Sequence, residues 1–271
     1  MSVIQQPAPV AVLDRFSRIL EVFEESSPLT LNQVSLRTGL PRSSTHRMLE
    51  QLVAKRWLNR SERKYELGMR LVELGSSAVH QNRLHAHALP ILAELQRVSG
   101  MVIHLGILEQ SDVVYLCKVG GPYAAAVPTR VGGRRPAFDT ALGRALLAFG
   151  DSSTPHDDRP LRLRSEIEKI QDSGLAYESG TAVAGLNCIA APIGPPNQAV
   201  AAVSVCGPRL RLKLEHHSAV PLLIAAAAIW DAVREDGHSH QRFRRLRTLR
   251  SLPGATGVWP TGQFGGVPAL D

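Results

Sequence analysis

The 271-residue chain is short of cysteine and of uninterrupted apolar runs, and several common catalytic signatures are missing from it. Three cysteines, an odd number in a chain of this size, do not make a disulfide framework; a reducing, cytoplasmic setting is the expectation. No stretch reaches the ~18–20 apolar residues that cross a bilayer. The Ala-rich segment Ala219–Val233 is interrupted by Pro221 and Asp231 and reads as a buried helix, so no membrane partner is expected. Met1–Pro9 is uncharged and contains proline, unlike a secretory leader. Neither a P-loop, a Gly-x-Gly-x-x-Gly nor a Gly-x-Ser-x-Gly is present. His85-x-His87 and His238-x-His240 lack a third ligand at metal spacing, so no metal or other cofactor is expected. Cys188 and Cys206, with several histidines and Asp139, are the raw material of a thiol catalyst. Yet both lie in apolar strand-like runs, with no activating helix start or histidine beside them in sequence. An enzyme is not the expectation.

What is present is an uneven charge. The net +7 is concentrated: residues 30–70 carry nine Lys/Arg against three Asp/Glu, whereas residues 71–233 carry fourteen of each. From Arg234 onward there are six against three. A basic block beside a neutral one is the pattern of a nucleic-acid reader joined to a module that does not touch nucleic acid. A solvated basic face without a partner gives the same count.

Periodicity divides the chain into two parts. Leu13, Phe16, Leu20 and Phe23 recur at helical spacing, so Val10–Glu25 is predicted to be an amphipathic helix ended by Ser26-Ser27-Pro28. Thr30 and Gln33 form a capping-box pattern opening a second helix that stops at Gly39. Pro41 suits the first turn of a third helix running to about Lys55. Trp57–Arg60 and Tyr65–Leu67 flank a polar turn and read as a hairpin. Arg70–Gln81 and Leu84–Ser99 continue as helices, with Pro90 placed to kink the latter or restart it. Beyond Gly100 the character changes. Met101–Leu108, Val113–Val119, Cys188–Pro192 and Ala199–Val205 read as strands, and Thr140–Phe149, Pro160–Ser173 and Leu212–Glu235 as helices, an α+β arrangement. The expected domains are 8–68, a linker helix 69–83, a second domain 84–235, and a basic, disordered tail 236–271 in which Arg242–Arg250 can form a short helix.

Helix, helix, tight turn, helix, hairpin is the order of a winged helix-turn-helix. In the third helix Thr45, Met48, Leu49 and Leu52 share the face that packs inward. The opposite face at its start carries Arg42, Ser43, Ser44, His46 and Arg47, types that bond guanine edges and phosphates. His46 has a second reading, an internal hydrogen bond. Glu50 stands one turn later, where it repels phosphate and ends the contact. Arg60, Arg63 and Lys64 cluster at the hairpin tip, a wing or merely a soluble turn; Arg18 and Arg37 are open between phosphate contact and plain surface.

The run Leu29–Leu52, with Thr-Gly-Leu-Pro-Arg-Ser-Ser-Thr-His-Arg-Met-Leu at 38–49, and Tyr65-Glu-Leu-Gly68 resemble the IclR family of bacterial regulators. Gly185–Pro192, Ala201–Pro208 and Ala141–Ala148 resemble two core strands and a helix of that family's effector domain, so the likeness spans roughly residues 8–235. The resemblance implies an N-terminal winged helix-turn-helix, a linker helix and a GAF-like α/β domain that binds a small metabolite, commonly an organic acid or aromatic compound. It further implies dimers, often paired into tetramers, on a double-stranded DNA operator. Positions similar to ligand contacts in the family are Glu178, Leu186, Cys188, Ser204 and Cys206. Two of them depart from it: the family often has a hydroxyl where Cys206 stands and Asp where Glu178 stands. Val131–Thr140 is expected to be a loop over the pocket, with Phe138 and Thr140 lining it, and Arg134 or Arg135 either drawing an anionic ligand or simply solvated. From the residues alone, Ser204 and Cys206 share one strand face, and small polar groups there mark either a hollow or an ordinary small-residue core. The expected function is a DNA-binding regulator whose operator affinity follows an effector. An architectural DNA-binding protein without a ligand is the alternative, with a thiol-dependent enzyme behind it.

Overall fold

The computed structural model describes residues 12–150 and 161–235. The expectations for Met1–Pro9 and for the tail beyond 235 lie outside the described residues. The chain divides into two compact units after Gln81.

The first unit runs α1 (Val12–Glu25), β1 (Leu29–Thr30), α2 (Leu31–Thr38), α3 (Arg42–Ala54), β2 (Leu58–Ser61), β3 (Lys64–Leu67) and α4 (Met69–Gln81). Its three strands form one antiparallel sheet in the order β1-β3-β2. Local chemistry sets the boundaries. The Thr30 hydroxyl accepts from the Gln33 amide, and the Gln33 side chain accepts from the Thr30 amide at 2.8 Å, so two otherwise orphaned donors at the start of α2 are satisfied. Gly39, at φ +68°, gives the left-handed step that turns the chain into α3. Thr45 donates its hydroxyl to Pro41 O at 3.1 Å and is fully buried beside the α2–α3 turn. Ile19 and Phe23 of α1, Val34 of α2, Leu49 of α3, Leu58 of β2 and Tyr65 of β3 close the core. Gly68 is required for a different reason. A Cβ there would strike the carbonyl of Arg56, so only glycine lets β3 leave the sheet beside Arg56 and Trp57.

The second unit is an α+β layer structure. It runs α5 (Arg83–Ser99), β4 (Val102–Glu109), β5 (Asp112–Val119), β6 (Arg134–Pro136), α6 (Ala141–Phe149), α7 (Leu161–Ser173), β7 (Ala176–Ser179), β8 (Leu186–Ile193), β9 (Ala201–Pro208) and α8 (His216–Arg234). The six strands are antiparallel throughout, in the order β6-β5-β4-β9-β8-β7. One face carries Ile103, Leu105, Ile189, Val203 and Val205 against Leu92 and Leu95 of α5 and Leu222 and Ile229 of α8. The other, reached by the two-residue alternation of each strand, packs Ala176, Ala190 and Ala202 against Leu142, Ala145 and Leu146 of α6. Small side chains on that face let α6 lie close. Where α6 gives out, the face is left for Val102, His104, Ser204, Cys206, Cys188 and Leu186.

Two expectations change and one strand is added. Val131–Thr140 is not a simple loop: it contains edge strand β6 and a 3-10 turn at Ala137–Asp139, and Thr140 caps α6 through Gly143 N at 2.9 Å. Strand β7 was not anticipated, because Ala176–Ser179 is four residues long and half polar. Pro90 neither restarts nor divides α5, which is one helix.

Candidate functional sites

On the first unit, Arg42, Ser43, His46 and Arg47 are exposed on one side of α3 and Ser44 is half-buried, while Thr45, Met48, Leu49 and Leu52 are sunk in the core. The residue before the helix is Pro41, which offers no side-chain cap, so no side chain of its own caps the first-turn amides. The hairpin differs from expectation. Arg63 and Lys64 stand at the turn, but Arg60 reaches back to α3 and donates to Glu50 at 2.8 Å, with its guanidinium 5.6 Å from the Tyr65 ring centre. Glu50 also accepts from the Tyr65 hydroxyl at 3.1 Å and lies 3.8 Å from His46 Nε2. Glu50 is therefore a brace between α3 and the wing as well as a boundary of the basic face. Burial first, and then the hydrogen bond to Glu50, raise the Tyr65 phenol above its ordinary range. Arg37 bonds the Ser26 hydroxyl, which ties it to the end of α1.

In the second unit the face not covered by α6 walls a cavity of about 40 Å³. Thr140, Glu178, Leu186, Cys188, Ser204 and Cys206 all line it, as do His104, Tyr115, Thr129 and Arg135. Phe138 does not: it sits 40% exposed on the 3-10 turn. Of the two arginines, Arg135 reaches the cavity, whereas Arg134 pairs outward with Glu109 and Asp112. Glu178 is buried and accepts from the backbone amides of Thr181 and Ala182, so its carboxylate also ties down the turn after β7.

The central residue sequence reasoning missed is His104. It faces Ser204 across the β4–β9 pair, is 1% exposed, and places Nε2 2.7 Å from Thr129 Oγ1 and Nδ1 3.5 Å from Ser204 Oγ. Burial, with the nearby Lys118 charge behind it, holds its pKa down to about 3, so the ring is neutral. A neutral imidazole has one donor and one acceptor nitrogen, which matches two hydroxyl neighbours. Its alternation with Ile103 and Leu105 was a usable signal, a polar residue on the inward face of an apolar strand. Lys118 completes the enclosure. Its Nζ donates to the carbonyls of Ala124, Val127 and Thr129 at 3.1, 2.7 and 2.8 Å, gathering the segment after β5 over the cavity. The ammonium's pKa is lowered by burial.

The structure also corrects the reading of the cysteines. Cys188 and Cys206 are directly opposed in the β8–β9 register and are joined by a disulfide, leaving Cys117 as a buried free thiol. The odd count concealed a pair that only the strand register brings together.

A winged helix-turn-helix unit followed by an α+β unit whose cavity has mainly apolar walls with a few polar groups defines a DNA-binding regulator with a sensor domain. The comparisons with known proteins make this specific. Residues 12–62 match the IclR helix-turn-helix domain, and residues 76–231 match the bacterial transcriptional regulator IclR C-terminal domain. The chain belongs to the IclR family of bacterial transcriptional regulators, which pairs DNA binding with an effector domain. It is 30% identical over 212 residues to the HTH-type transcriptional regulator XynR of Escherichia coli, covering 71% of this chain and 84% of that protein. It is 29% identical over 238 residues to the Pca regulon regulatory protein of Pseudomonas putida, covering 79% and 81%. Among solved structures, an IclR homolog complexed with 4-hydroxybenzoate from Microbacterium hydrocarbonoxydans superposes with a TM-score of 0.73 at 28% identity, covering 83% of this chain and all of that one.

Proposed function

We propose that the chain binds a double-stranded operator through Arg42, Ser43, Ser44, His46 and Arg47 of α3, with Arg63 and Lys64 of the wing on the flanking backbone and Arg60 acting through Glu50. The observation that carries this reading is the exposed basic start of α3 above a buried inner face of Thr45, Met48, Leu49 and Leu52. In the same reading a small organic acid, aromatic acids included, occupies the cavity of the sensor domain and changes operator affinity. Arg135 supplies the cation for its carboxylate, and His104, Ser204 and Thr140 the neutral polar contacts. The cavity as it stands has room for only a few waters, so a ring-sized effector displaces part of its wall, with the Lys118-bound segment the movable part. The chain acts as a homodimer or tetramer, because one small winged domain contacts too little DNA for selective binding. No catalytic role is assigned to it.

The test is a two-stage titration of the full chain. Operator fragments selected from random DNA are bound with and without a panel of organic and aromatic acids, 4-hydroxybenzoate included. Tight binding that depends on sequence and is shifted by one member of the panel is the expected result. Selective DNA binding that no acid alters, with no thermal shift, instead identifies an architectural protein.

A further inference from the structure

The cavity wall contains chemistry that effector binding leaves unused. Cys188 on β8 and Cys206 on β9 are directly opposed, with Cα atoms 4.3 Å apart, on the face that lines the cavity. That separation belongs to the close, non-hydrogen-bonded kind of antiparallel pair, so the strand register holds the two sulfurs together whichever state they are in. Cys188 is half-buried at the cavity and Cys206 is 6% exposed. The third cysteine is differently placed. Cys117 lies in the core on the α5–α8 side, and burial raises its pKa, which suppresses its thiolate. One sulfur pair is thus preassembled beside solvent-sized space, and one thiol is protected.

We propose that Cys188 and Cys206 form a reversible dithiol–disulfide couple, a site of oxidation by small peroxides built into the wall of the sensor cavity. Hydrogen peroxide is small enough for a space of a few waters. The Cys188 thiolate attacks one peroxide oxygen; the O–O bond breaks, and the departing hydroxide takes a proton to become water. The resulting Cys188 sulfenic acid is attacked at sulfur by Cys206; the S–S bond forms, the S–O bond breaks, and hydroxide leaves with the Cys206 proton as a second water. Two thiols lose two electrons, one peroxide gains them, and a small dithiol reverses the change by exchange. Oxidation removes two S–H groups from a lining that also holds Ser204 and His104, with the Ser204 hydroxyl 4.0 Å from Cys206 Sγ. The cavity therefore presents different hydrogen-bonding partners in its two states. The couple goes beyond the effector reading and stands without it, since it is read out with no effector present.

The experiment counts thiols in the full chain. After reduction, three thiols react with a disulfide reagent in denaturant; after brief peroxide treatment one is expected, with a 188–206 cross-link in the peptide map and recovery to three with dithiothreitol. In Cys206→Ser the sulfenic acid has no resolving partner, so dimedone is expected to label Cys188; in Cys188→Ser the enclosed Cys206 is labelled at least several-fold more slowly. Three thiols persisting after peroxide, a cross-link between chains in place of 188–206, or loss of Cys117 at the same rate overturns the proposal. The wild-type peptide map decides the matter even where a variant does not fold.

Discussion

Acidification is expected to destabilise the sensor domain through one residue, His104. The folded protein keeps this ring neutral to about pH 3, against 6.5 for the ordinary imidazole. A pKa depressed by folding contributes stability that is fully present above 6.5 and is lost as pH falls from 6.5 toward 3, because across that window the unfolded chain binds a proton that the folded chain refuses. At about 1.36 kcal/mol per unit, lowering the pH from 7.5 to 5 removes about 2 kcal/mol. For a unit of this size that is a fall of about 4–8 °C in Tm. The comparison that isolates this residue is with His104→Asn, which keeps a polar group against Ser204 and Thr129 but cannot ionise. Calorimetric melting of both proteins at pH 7.5, 6 and 5 is the assay. The wild type is expected to lose about 4–8 °C more than the variant across the series. If their difference in Tm is the same at pH 5 as at pH 7.5, His104 is not the buried neutral group described here.

Other expectations concern the two sites. Arg47→Ala weakens operator binding by about 1–3 kcal/mol if the guanidinium meets a base edge, or lowers the salt slope by about one if it meets phosphate; anisotropy titrations with neither change place the reading face elsewhere. Glu50→Gln removes the carboxylate that holds Arg60 and borders the basic face, so affinity for non-operator DNA rises a few-fold at low salt, and an unchanged value means that Glu50 does not restrain the wing. Ser204→Leu fills the cavity from its wall and abolishes the thermal shift given by the cognate acid while DNA affinity stays as before; a normal shift moves the pocket. Gly143→Ala brings a Cβ against the backbone of Ala137 and costs about 1–3 kcal/mol by overpacking, a loss read from calorimetry.

Much of the first unit was legible because its signals are local. The Thr30–Gln33 capping box, Gly39 and the Thr45–Met48–Leu49–Leu52 stripe each act within a few residues, and all three are present in the structure. The second unit was readable where apolar runs are long, as in β4, β5, β8 and β9, and opaque where an edge strand is three or four residues, as in β6 and β7. Two features of the cavity depend on register between segments about a hundred or about twenty residues apart: His104 beside Ser204, and Cys188 beside Cys206. No window on a single strand contains that information. Arg60 shows the same limit, since its turn toward Glu50 joins two elements that the sequence suggests only as neighbours.

The segment after β5 is held by Lys118 together with the Thr129 hydroxyl on His104 and the buried Val127 side chain. Three carbonyls, those of Ala124, Val127 and Thr129, share the single ammonium of Lys118. Releasing one carbonyl leaves the ammonium partly unsatisfied in a partly desolvated place, so the remaining two hold less well and tend to let go with it. The covering segment is therefore fastened cooperatively, and one ammonium joins three points of its backbone to the edge of the cavity wall.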